Sequence, residues 1–393
     1  MLTEITRPPR RLSQARLAID MLSVGAFRGL RNVKLERLSR INLLVGTNNS
    51  GKTSILEAIA ILQSPFEPIE WFNVVRAREM RSVGPYLDQM STIEALRWMF
   101  PAREGDVWGD TDPLPIKLET SASGGTDQLD ISCEVVRGVL DPEQVRRVIG
   151  RTRVTNPEPV EDHGLLLKAV ASLEQGMLMP VHFSRDWTIW SQLGLRSELR
   201  QGRPRENVQF LAPYAHRNSS LNLRRLTEAS KTGARDDIDA LLRDLDRRIV
   251  GVEIITSEDG RFPKIAIRMR NGALMPQGVL GDGVRRALSI ALGLRAAANG
   301  LLLIDEIEAA LHVSALDRVY RWLDEAVSSF SVQVFATTHS LEAIDAIIRS
   351  TSPDSHSDLS GYAIDESEEN GVKRYTGGML HRLVRQRGLD IRG

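Results

Sequence analysis

The C-terminal third of the chain has the most regular alternation of apolar and polar positions. Apolar residues at helical spacing predict helices over 284–298 and 314–328. Continuous apolar runs predict buried strands over 301–305 and 332–338. Strands that are apolar on both faces are typical of a parallel sheet covered by helices on both sides. The pattern therefore predicts an α/β core over residues 271–350.

The N-terminal pattern predicts a second part of the same core. Three short strands, over 22–27, 32–38 and 41–45, precede a helix from Thr53 to about Leu62. We assign residues 21–63 to a first lobe. No heptad pattern runs long enough for a coiled-coil arm, and no internal repeat is found.

The remaining segments have weaker patterns. Residues 1–20, with four arginines, are predicted to be a flexible arm, and 351–393 a C-terminal strand and helix, with its basic part, 373–392, read as a solvated helix. Residues 64–270 are predicted to be an α+β insertion, partly helical. Within the insertion the pattern predicts a strand over 119–136, a helix and loop over 138–165, a helix over 236–248, and strands over 252–255 and 264–269.

Composition and charge exclude several classes of protein. Of the 393 residues, 42% are hydrophobic and 26% charged, which is ordinary for a globular protein. Lys+Arg and Asp+Glu balance at 51 each, so overall charge gives no argument for nucleic-acid binding. No apolar stretch reaches about 18 residues and no signal-type segment is present, so we expect neither a membrane span nor secretion.

A single cysteine limits the redox chemistry. Cys133 excludes a disulfide framework or a cysteine-based metal cluster within one chain, and it fits a reducing compartment such as the cytoplasm. We predict a small core residue there; a reactive thiol is the alternative.

The first motif with chemistry is GTNNSGKT, Gly46 to Thr53, which matches GxxxxGK[ST] between an apolar strand and a helix. Glycines let backbone N–H groups curl around phosphate oxygens, and the helix N-terminus adds partial positive charge. Lys52 is expected to reach the β- and γ-phosphates and the Thr53 hydroxyl to ligate Mg²⁺. The predicted nucleotide-binding residues are Gly46, Asn48, Asn49, Ser50, Gly51, Lys52, Thr53 and Ser54.

The second motif is LLLIDEIEAALH, residues 301–312, in which an apolar strand ends in Asp-Glu. Asp305 is expected to hold Mg²⁺ through water, and Glu306 to orient or deprotonate the attacking water. An ordinary strand end followed by a helix cap is the alternative, and the P-loop argues against it.

Two further motifs complete the pattern. In QVFATTHSLE, residues 333–342, a buried strand is followed by His339, placed to sense the γ-phosphate unless it is a capping or packing residue. In GVLGDGVRR, residues 278–286, glycines precede a helix about 25 residues before Asp305. That loop is suited to binding a γ-phosphate at the helix N-terminus; a Gly-rich turn that only caps the helix is the alternative.

Two long segments resemble a known family. The run from Leu280 to Glu342, and FRGLRNVKLERLSRINLLVGTNNSGKTSILEAIAIL near the N-terminus, resemble the RecF/SMC-like branch of cassette ATPases. More specifically, they are similar to stand-alone bacterial AAA-type ATPases related to the OLD family. Together they cover about a third of the chain. The fold class implied is a P-loop NTPase of the ABC-ATPase head type, α/β and two-lobed, with a mostly parallel sheet flanked by helices.

This resemblance implies a division of labour among the motifs. Two heads would close on ATP and Mg²⁺ as a head-to-head dimer or higher homo-oligomer. Glu306 and His339 would be the catalytic residues, and Thr53 and Asp305 would hold the metal. The partner's signature loop would complete each site through Gly281, Asp282 and Gly283.

The chain departs from the family pattern at named positions. Gly278 and Val279 stand where a serine usually precedes the signature loop, so a hydroxyl contact to phosphate is lost and hydrolysis is expected to be slow. His312 stands where transporter cassettes have an aspartate. The Q-loop glutamine is unassigned, with Gln209 as a guess. No Asp-x-Asp metal motif follows His339, so we expect no nuclease domain, and the guanine-recognition motif is missing, which favours ATP over GTP.

Several functions remain compatible with these motifs. The leading hypothesis is an ATPase that controls a partner, such as a nuclease or toxin, in bacterial DNA repair or anti-phage defence. The alternative is a nucleotide-gated scaffold that sequesters an effector with little turnover; a transporter ATPase is disfavoured because LSGGQ is missing. Possible DNA contact rests on a basic stretch that could equally be a solvated face. Its arginines are Arg196, Arg200, Arg203, Arg205, Arg217, Arg224 and Arg225.

Overall fold

A computed structural model divides the chain into two compact units. The first comprises Met1–Lys34 and Glu57–Arg205, and the second Leu35–Leu56 and Glu206–Gly393. The structure describes residues 19–79, 92–102, 113–122, 125–140, 160–174, 180–190, 207–231, 233, 235–256, 261–351, 358–365, 371–386, 388 and 390–391.

The secondary-structure elements are numbered along these residues. The strands are β1 (Met21–Phe27), β2 (Leu30–Glu36), β3 (Ile41–Val45), β4 (Ile116–Ala122), β5 (Gly125–Leu140), β6 (Val160–Glu174), β7 (Val181–Trp190), β8 (Val208–Leu211), β9 (Ile249–Ile255), β10 (Lys264–Met269), β11 (Leu274–Pro276), β12 (Leu301–Ile304), β13 (Gln333–Thr338), β14 (Leu359–Ile364) and β15 (Val372–Thr376). The helices are α1 (Lys52–Gln63), α2 (Pro68–Glu79), α3 (Thr92–Arg97), α4 (Ser219–Lys231), α5 (Arg235–Leu245), α6 (Asp282–Ala296), α7 (Val313–Ser329), α8 (Leu341–Ser350) and α9 (Gly377–Leu380), which continues as a π-helical turn over His381–Gln386.

The second unit is built on a mostly parallel sheet with the strand order β15-β14-β3-β13-β12-β8. Only the pairing of β14 with β15 is antiparallel. Strands β3, β12, β13 and β14 are buried along their whole length, which is why most of their residues are apolar. The predicted parallel α/β sheet is therefore confirmed. Strand β8 lies within the 64–270 segment and pairs in parallel with β12.

Parallel pairing brings the carboxyl ends of β3, β13 and β12 to one edge of the sheet. A polar side chain inside this sheet forms hydrogen bonds to backbone carbonyls. Asn42, in the fully buried β3, donates to Ser39 O at 2.7 Å and to Val334 O at 3.3 Å, which ties two neighbouring strands together. A small antiparallel sheet in the order β11-β10-β9 accompanies the parallel one in this unit.

The first unit contains a six-stranded sheet in the order β2-β1-β4-β5-β6-β7. Its long strands β5 and β6 pair antiparallel from Thr126↔Glu174 to Leu140↔Val160. Gly138 and Gly164 leave room for the Trp190 ring, because a Cβ at these positions would lie 2.7 and 3.0 Å from it. Cys133 is buried, as predicted for a core residue.

Three sequence predictions are wrong in whole or in part. The single strand predicted over 119–136 is a hairpin, because β4 ends at Ala122 and β5 begins at Gly125. Residues 138–165 were predicted to be a helix and loop, whereas residues up to Leu140 belong to β5 and residues from Val160 belong to β6; 141–159 lie outside the described residues. The basic tail, 373–392, was predicted to be a solvated helix and, in its described residues, is helical only over 377–386. It begins in β15, which pairs with β14, and its Tyr375, Leu380 and Ile391 are buried. Among the described residues, no helix combines the length and the apolarity needed to cross a membrane.

Candidate nucleotide-binding site

The turn between β3 and α1 has the backbone conformation that the P-loop motif predicts. Gly46 has φ +154°, and a Cβ there would lie 2.7 Å from both Ile364 O and Ser50 Oγ, so only glycine fits. Asn49 and Gly51 are in the left-handed region, at φ 67° and 79°. Chain reversals of this kind direct backbone N–H groups towards one point, which suits an anion.

Lys52 begins the helix and lies against this turn. Its Nζ donates to Gly46 O at 3.0 Å and to Thr47 O at 2.5 Å, and it lies 3.3 Å from Ser50 Oγ. Burial lowers the pKa of Lys52, and the charge of Asp305 opposes that shift. The ammonium group therefore contacts the backbone of the loop and lies near the acidic side chains that follow β12.

Asp305 follows β12 and is buried. Its Oδ1 accepts hydrogen bonds from Thr53 Oγ1 at 2.9 Å and from Thr337 Oγ1 at 2.7 Å. Thr53 in the first turn of α1 and Thr337 near the end of β13 thus share one carboxylate oxygen of Asp305, which follows β12. The structure brings together the two predicted metal-holding residues, Thr53 and Asp305.

Glu306 has an unusual backbone for a residue other than glycine, with φ 46°. Its N–H donates to Thr337 Oγ1 at 2.8 Å, so the same threonine contacts both acidic residues of the motif. The Glu306 side chain is half-buried at the sheet edge where Asp305 also lies.

His339 follows β13 at this edge. Its backbone N–H donates to Glu308 Oε1 at 3.2 Å, and its Nδ1 lies 3.4 Å from the same oxygen. The imidazole is half-exposed, with 49% of its surface accessible, whereas the Glu308 side chain is 13% accessible. Glu308 therefore lies on the Nδ1 side of the imidazole, and Nε2 lies on the opposite side of the ring.

The predicted signature loop stands at the start of α6. Gly281 is the N-cap and supplies no side-chain cap, and a Cβ on Gly283 would lie 3.4 Å from Ala310 O. Asp282 accepts hydrogen bonds from Arg217 at 3.0 Å and from Arg285 at 2.8 Å. These contacts, Arg217 above all, lower the pKa of Asp282. The described partners of Asp282 are thus residues of its own chain.

Three residues of this site were not predicted as functional: Thr337, Glu308 and Arg286. All three stand inside the motifs that were identified, but nothing in the sequence pattern distinguishes them from their neighbours. Arg286 is fully buried, and its guanidinium donates to Ala212 O at 2.7 Å and to Asp305 O and Glu306 O at 3.0 Å each. An apolar helical pattern contains no signal for such a residue.

Other candidates lie elsewhere or have other partners. The amide oxygen of Gln209 accepts two hydrogen bonds from Arg225, at 3.1 and 2.7 Å, which gives it a structural partner away from the strand end. Arg225 is itself buried, which lowers its pKa to about 10, so it does not belong to an exposed basic face. Arg196, Arg200, Arg203 and Arg205 lie outside the described residues. His312 caps α7, accepting from Ser314 N at 3.2 Å.

Two known protein families match segments of this chain. Residues 185–345 match the family described as "AAA domain, putative AbiEii toxin, Type IV TA system", and residues 18–87 match the family described as "AAA ATPase domain". The two matched segments contain both the P-loop and the Asp-Glu strand.

Relatives with known sequences match over very different lengths. An uncharacterised protein of Methanocaldococcus jannaschii is 45% identical over 73 residues, which are 19% of this chain and 64% of that protein. The chain thus spans less than two thirds of that relative. An "ATP/GTP phosphatase" of Helicobacter pylori is 20% identical over 350 residues, covering 84% of this chain and 88% of that protein. The "DNA replication and repair protein RecF" of Pseudomonas entomophila is 50% identical over 46 residues, 12% of each chain.

A solved SMC head bound to the C-winged helix domain of ScpA aligns with 94% of this chain and 99% of its own, at 14% identity and a TM-score of 0.47. A likeness of this degree says nothing about function. The family matches and the relatives show that the chain is similar to P-loop ATPases of the RecF/SMC-like type.

Proposed function

We propose that this chain binds Mg-ATP at Gly46–Thr53 and hydrolyses it. The observation that carries the proposal is the double hydrogen bond to Asp305 Oδ1, from Thr53 of the P-loop and Thr337 at the end of β13. It joins the phosphate-binding turn to the acidic strand end in one arrangement. The two ATPase family matches support the same conclusion.

The phosphate chain would bind the turn that precedes α1. Backbone N–H groups of the turn and the N-terminus of α1 supply the positive end of aligned dipoles. Lys52 would exchange its carbonyl partners, Gly46 O and Thr47 O, for β- and γ-phosphate oxygens. Since the ammonium already lies against this loop, little rearrangement of the side chain is needed.

Thr53 and Asp305 are suited to hold Mg²⁺. Thr53 Oγ1 would ligate the ion directly, and Asp305 Oδ1 would hold it through water. The two oxygens lie 2.9 Å apart and are of the kind that Mg²⁺ prefers. When bound, the ion would neutralise charge on the phosphates.

Glu306 and His339 are the proposed catalytic residues. Glu306 would orient or deprotonate the attacking water, because its carboxylate comes directly after the buried Asp305 at the sheet edge where phosphate is expected. His339 would contact the γ-phosphate through Nε2, since Nδ1 faces Glu308. The site then contains a base, a metal-binding pair and a phosphate sensor.

Each site would be completed by the signature loop of a second copy, in a head-to-head dimer or higher oligomer. The α6 N-terminus, with Gly281 as its cap and no side-chain cap bond, has N–H groups that suit a γ-phosphate. We further propose that closing and opening of this oligomer controls a partner in DNA repair or anti-phage defence. The matched family's description names a toxin of a toxin–antitoxin system, and RecF is described as a replication and repair protein.

A nucleotide-gated scaffold with little turnover is the second candidate. Gly278 and Val279 precede the signature loop where a serine hydroxyl would otherwise contact the γ-phosphate, and Val279 is 68% exposed. Without that hydroxyl, ATP could assemble the oligomer and be hydrolysed slowly. Such a scaffold would hold an effector for as long as ATP stays bound.

Hydrolysis of Mg-ATP and Mg-GTP across protein concentration tests both candidates, beside Glu306→Gln and the surface control Glu325→Gln. A composite-site ATPase shows turnover that rises more than proportionally with concentration, is lost in Glu306→Gln and is unchanged in Glu325→Gln. Background turnover together with ATP-dependent assembly would establish the scaffold instead. Adding DNA to the assay then distinguishes two functions. DNA stimulates turnover if the chain acts in repair, and turnover stays unchanged if its function does not involve DNA.

A further inference from the structure

Arg286 stands out among the core-facing residues of α6. From Arg286 to Leu294 every residue of the helix is buried, and the others in this run are small or apolar except for Ser289. A guanidinium in such surroundings loses its hydration, and a buried charge is costly unless hydrogen bonds replace the lost water. Burial accordingly lowers the pKa of Arg286 to about 10, although the charge of Asp305 opposes the shift.

The hydrogen bonds of Arg286 all go to backbone carbonyls outside its own helix. Nη1 donates to Ala212 O at 2.7 Å, just after β8. Nη2 donates to both Asp305 O and Glu306 O, each at 3.0 Å, just after β12. One side chain therefore ties the helix that follows the signature loop to the ends of two neighbouring parallel strands.

Two of the three carbonyls that Arg286 contacts, those of Asp305 and Glu306, belong to a strained stretch of backbone. Glu306 is in the left-handed region at φ 46°, which a residue other than glycine adopts only where surrounding contacts enforce it. Thr337 holds the N–H of Glu306, and Arg286 holds its C=O and that of Asp305. The peptide groups on either side of the Glu306 side chain are thus fixed from opposite directions.

We propose that Arg286 is a positioning residue for the ATPase reaction, which sets the direction of the Glu306 carboxylate and the place of Asp305. This inference rests on the proposed function. A residue of similar volume without the charge would fill the core as well, so packing alone gives no reason for arginine here. The hydrogen bonds also make the helix behind the signature loop and the acidic pair one rigid body, so a shift of α6 is transmitted to Glu306.

The test compares Arg286→Lys and Arg286→Met with Arg295→Lys, a control in the same helix whose guanidinium lies over the Phe330 ring, 5.3 Å from its centroid. Lysine keeps the charge but cannot reach three carbonyls with a planar group. We expect Arg286→Lys to lower kcat roughly 10- to 100-fold, the size of effect that a misplacement of about 1 Å produces, while the KM for ATP changes little. Arg295→Lys should behave as wild type.

Two readouts separate positioning from a purely structural role. Chemical denaturation reports stability; Arg286→Met removes a buried charge and is expected to fold, yet to remain at least as inactive as Arg286→Lys. Titration of Mn²⁺ in the presence of a non-hydrolysable ATP analogue reports the place of Asp305 without turnover. Arg286→Lys should weaken Mn²⁺ binding by about tenfold and leave binding of the analogue nearly unchanged.

The outcomes are distinguishable from those that test the proposed function. Wild-type kcat and Mn²⁺ affinity in Arg286→Lys, beside an inactive Glu306→Gln, would overturn the role of Arg286 and leave the ATPase standing. If wild type and Glu306→Gln are equally inactive, hydrolysis fails as the function. The Mn²⁺ titration then decides on Arg286 alone: weakened binding supports the positioning of Asp305, and unchanged binding overturns it.

Discussion

Thr53 and Asp305 are separated by 252 residues in the chain, and yet Thr53 Oγ1 donates a hydrogen bond of 2.9 Å to Asp305 Oδ1. The contact arises because β3 and β12 both pair in parallel with β13, so their carboxyl ends share one edge of the sheet. A loop after β3 and an acidic pair after β12 must therefore meet. This is the general reason why ligands bind at the carboxyl ends of parallel strands.

Substitution of Thr53 tests whether this hydroxyl holds a metal. Thr53→Val keeps the shape and removes the oxygen, and we expect it to abolish the increase in ATP affinity that Mg²⁺ confers. Thr53→Ser keeps the hydroxyl and should retain most of that increase. Calorimetric titration of ATP with and without Mg²⁺ measures the difference. Equal Mg²⁺ dependence in the valine variant would exclude Thr53 as a ligand.

Gly46→Ala tests the strained turn. A Cβ would lie 2.7 Å from the backbone oxygen of Ile364 and is incompatible with φ +154°, so we expect a loss of roughly 1–3 kcal/mol in the free energy of unfolding and at least about tenfold weaker ATP binding. Gly378→Ala is the matched control, because a Cβ there meets nothing within 4 Å. Urea denaturation and ATP titration of both variants check this. A normal Gly46→Ala protein would show that the turn has another conformation.

The Thr337 hydroxyl contacts both acidic residues. It donates to Asp305 Oδ1 and accepts from the backbone N–H of Glu306. Thr337→Val leaves a buried carboxylate and a backbone donor without this hydroxyl, which should cost about 1–3 kcal/mol and lower kcat. Thr337→Ser keeps the hydroxyl and should restore both quantities, apart from a small loss of packing. Urea denaturation and steady-state kinetics of the two variants decide the matter, and equal behaviour of Val and Ser would contradict it.

The strand–helix alternation made the parallel sheet and the order of its motifs predictable from sequence. Each of Lys52, Asp305 and His339 follows a fully buried strand, β3, β12 or β13, and a run of mostly apolar residues is the pattern expected for strands buried on both faces. Once the strands are parallel, the motifs at their ends must lie at one edge. The pattern alone was therefore enough to predict the parallel sheet and the proximity of these residues.

Other parts depend on tertiary contacts that no local pattern records. The strand pair β5–β6 contains Gly138 and Gly164, where a side chain would collide with the Trp190 ring, whereas the local pattern predicted a helix and loop over 138–165. The charged tail contains buried Tyr375 and exposed Lys373 in one edge strand, whereas composition alone suggested a solvated helix. Arg286 is charged in an apolar helical face, and only the positions of three carbonyls explain it.

His216 lies beside the signature loop, and we expect it to make the stability of this region sensitive to acid. The side chain is buried, its Nε2 lies 3.6 Å from Asp282 Oδ1, and neither ring nitrogen has a hydrogen-bond partner among the described residues. Burial lowers the pKa of His216, and the charges of Arg286, Arg285 and Arg217 lower it further, while that of Asp282 opposes them.

The sign of the resulting pH dependence follows from these shifts. The pKa of His216 in the folded chain lies below its ordinary value of about 6.5, so between the two values the unfolded chain binds more protons. The free energy of unfolding should therefore fall as pH drops below about 6.5, by at most about 1.4 kcal/mol per pH unit from this residue. His216→Phe should remove that part of the slope, whereas His163→Gln, whose imidazole is 63% exposed, should not. Urea denaturation of wild type, His216→Phe and His163→Gln measures this slope, from neutral pH down to about one unit below the ordinary histidine pKa. An unchanged slope in His216→Phe would show that other groups cause the acid sensitivity.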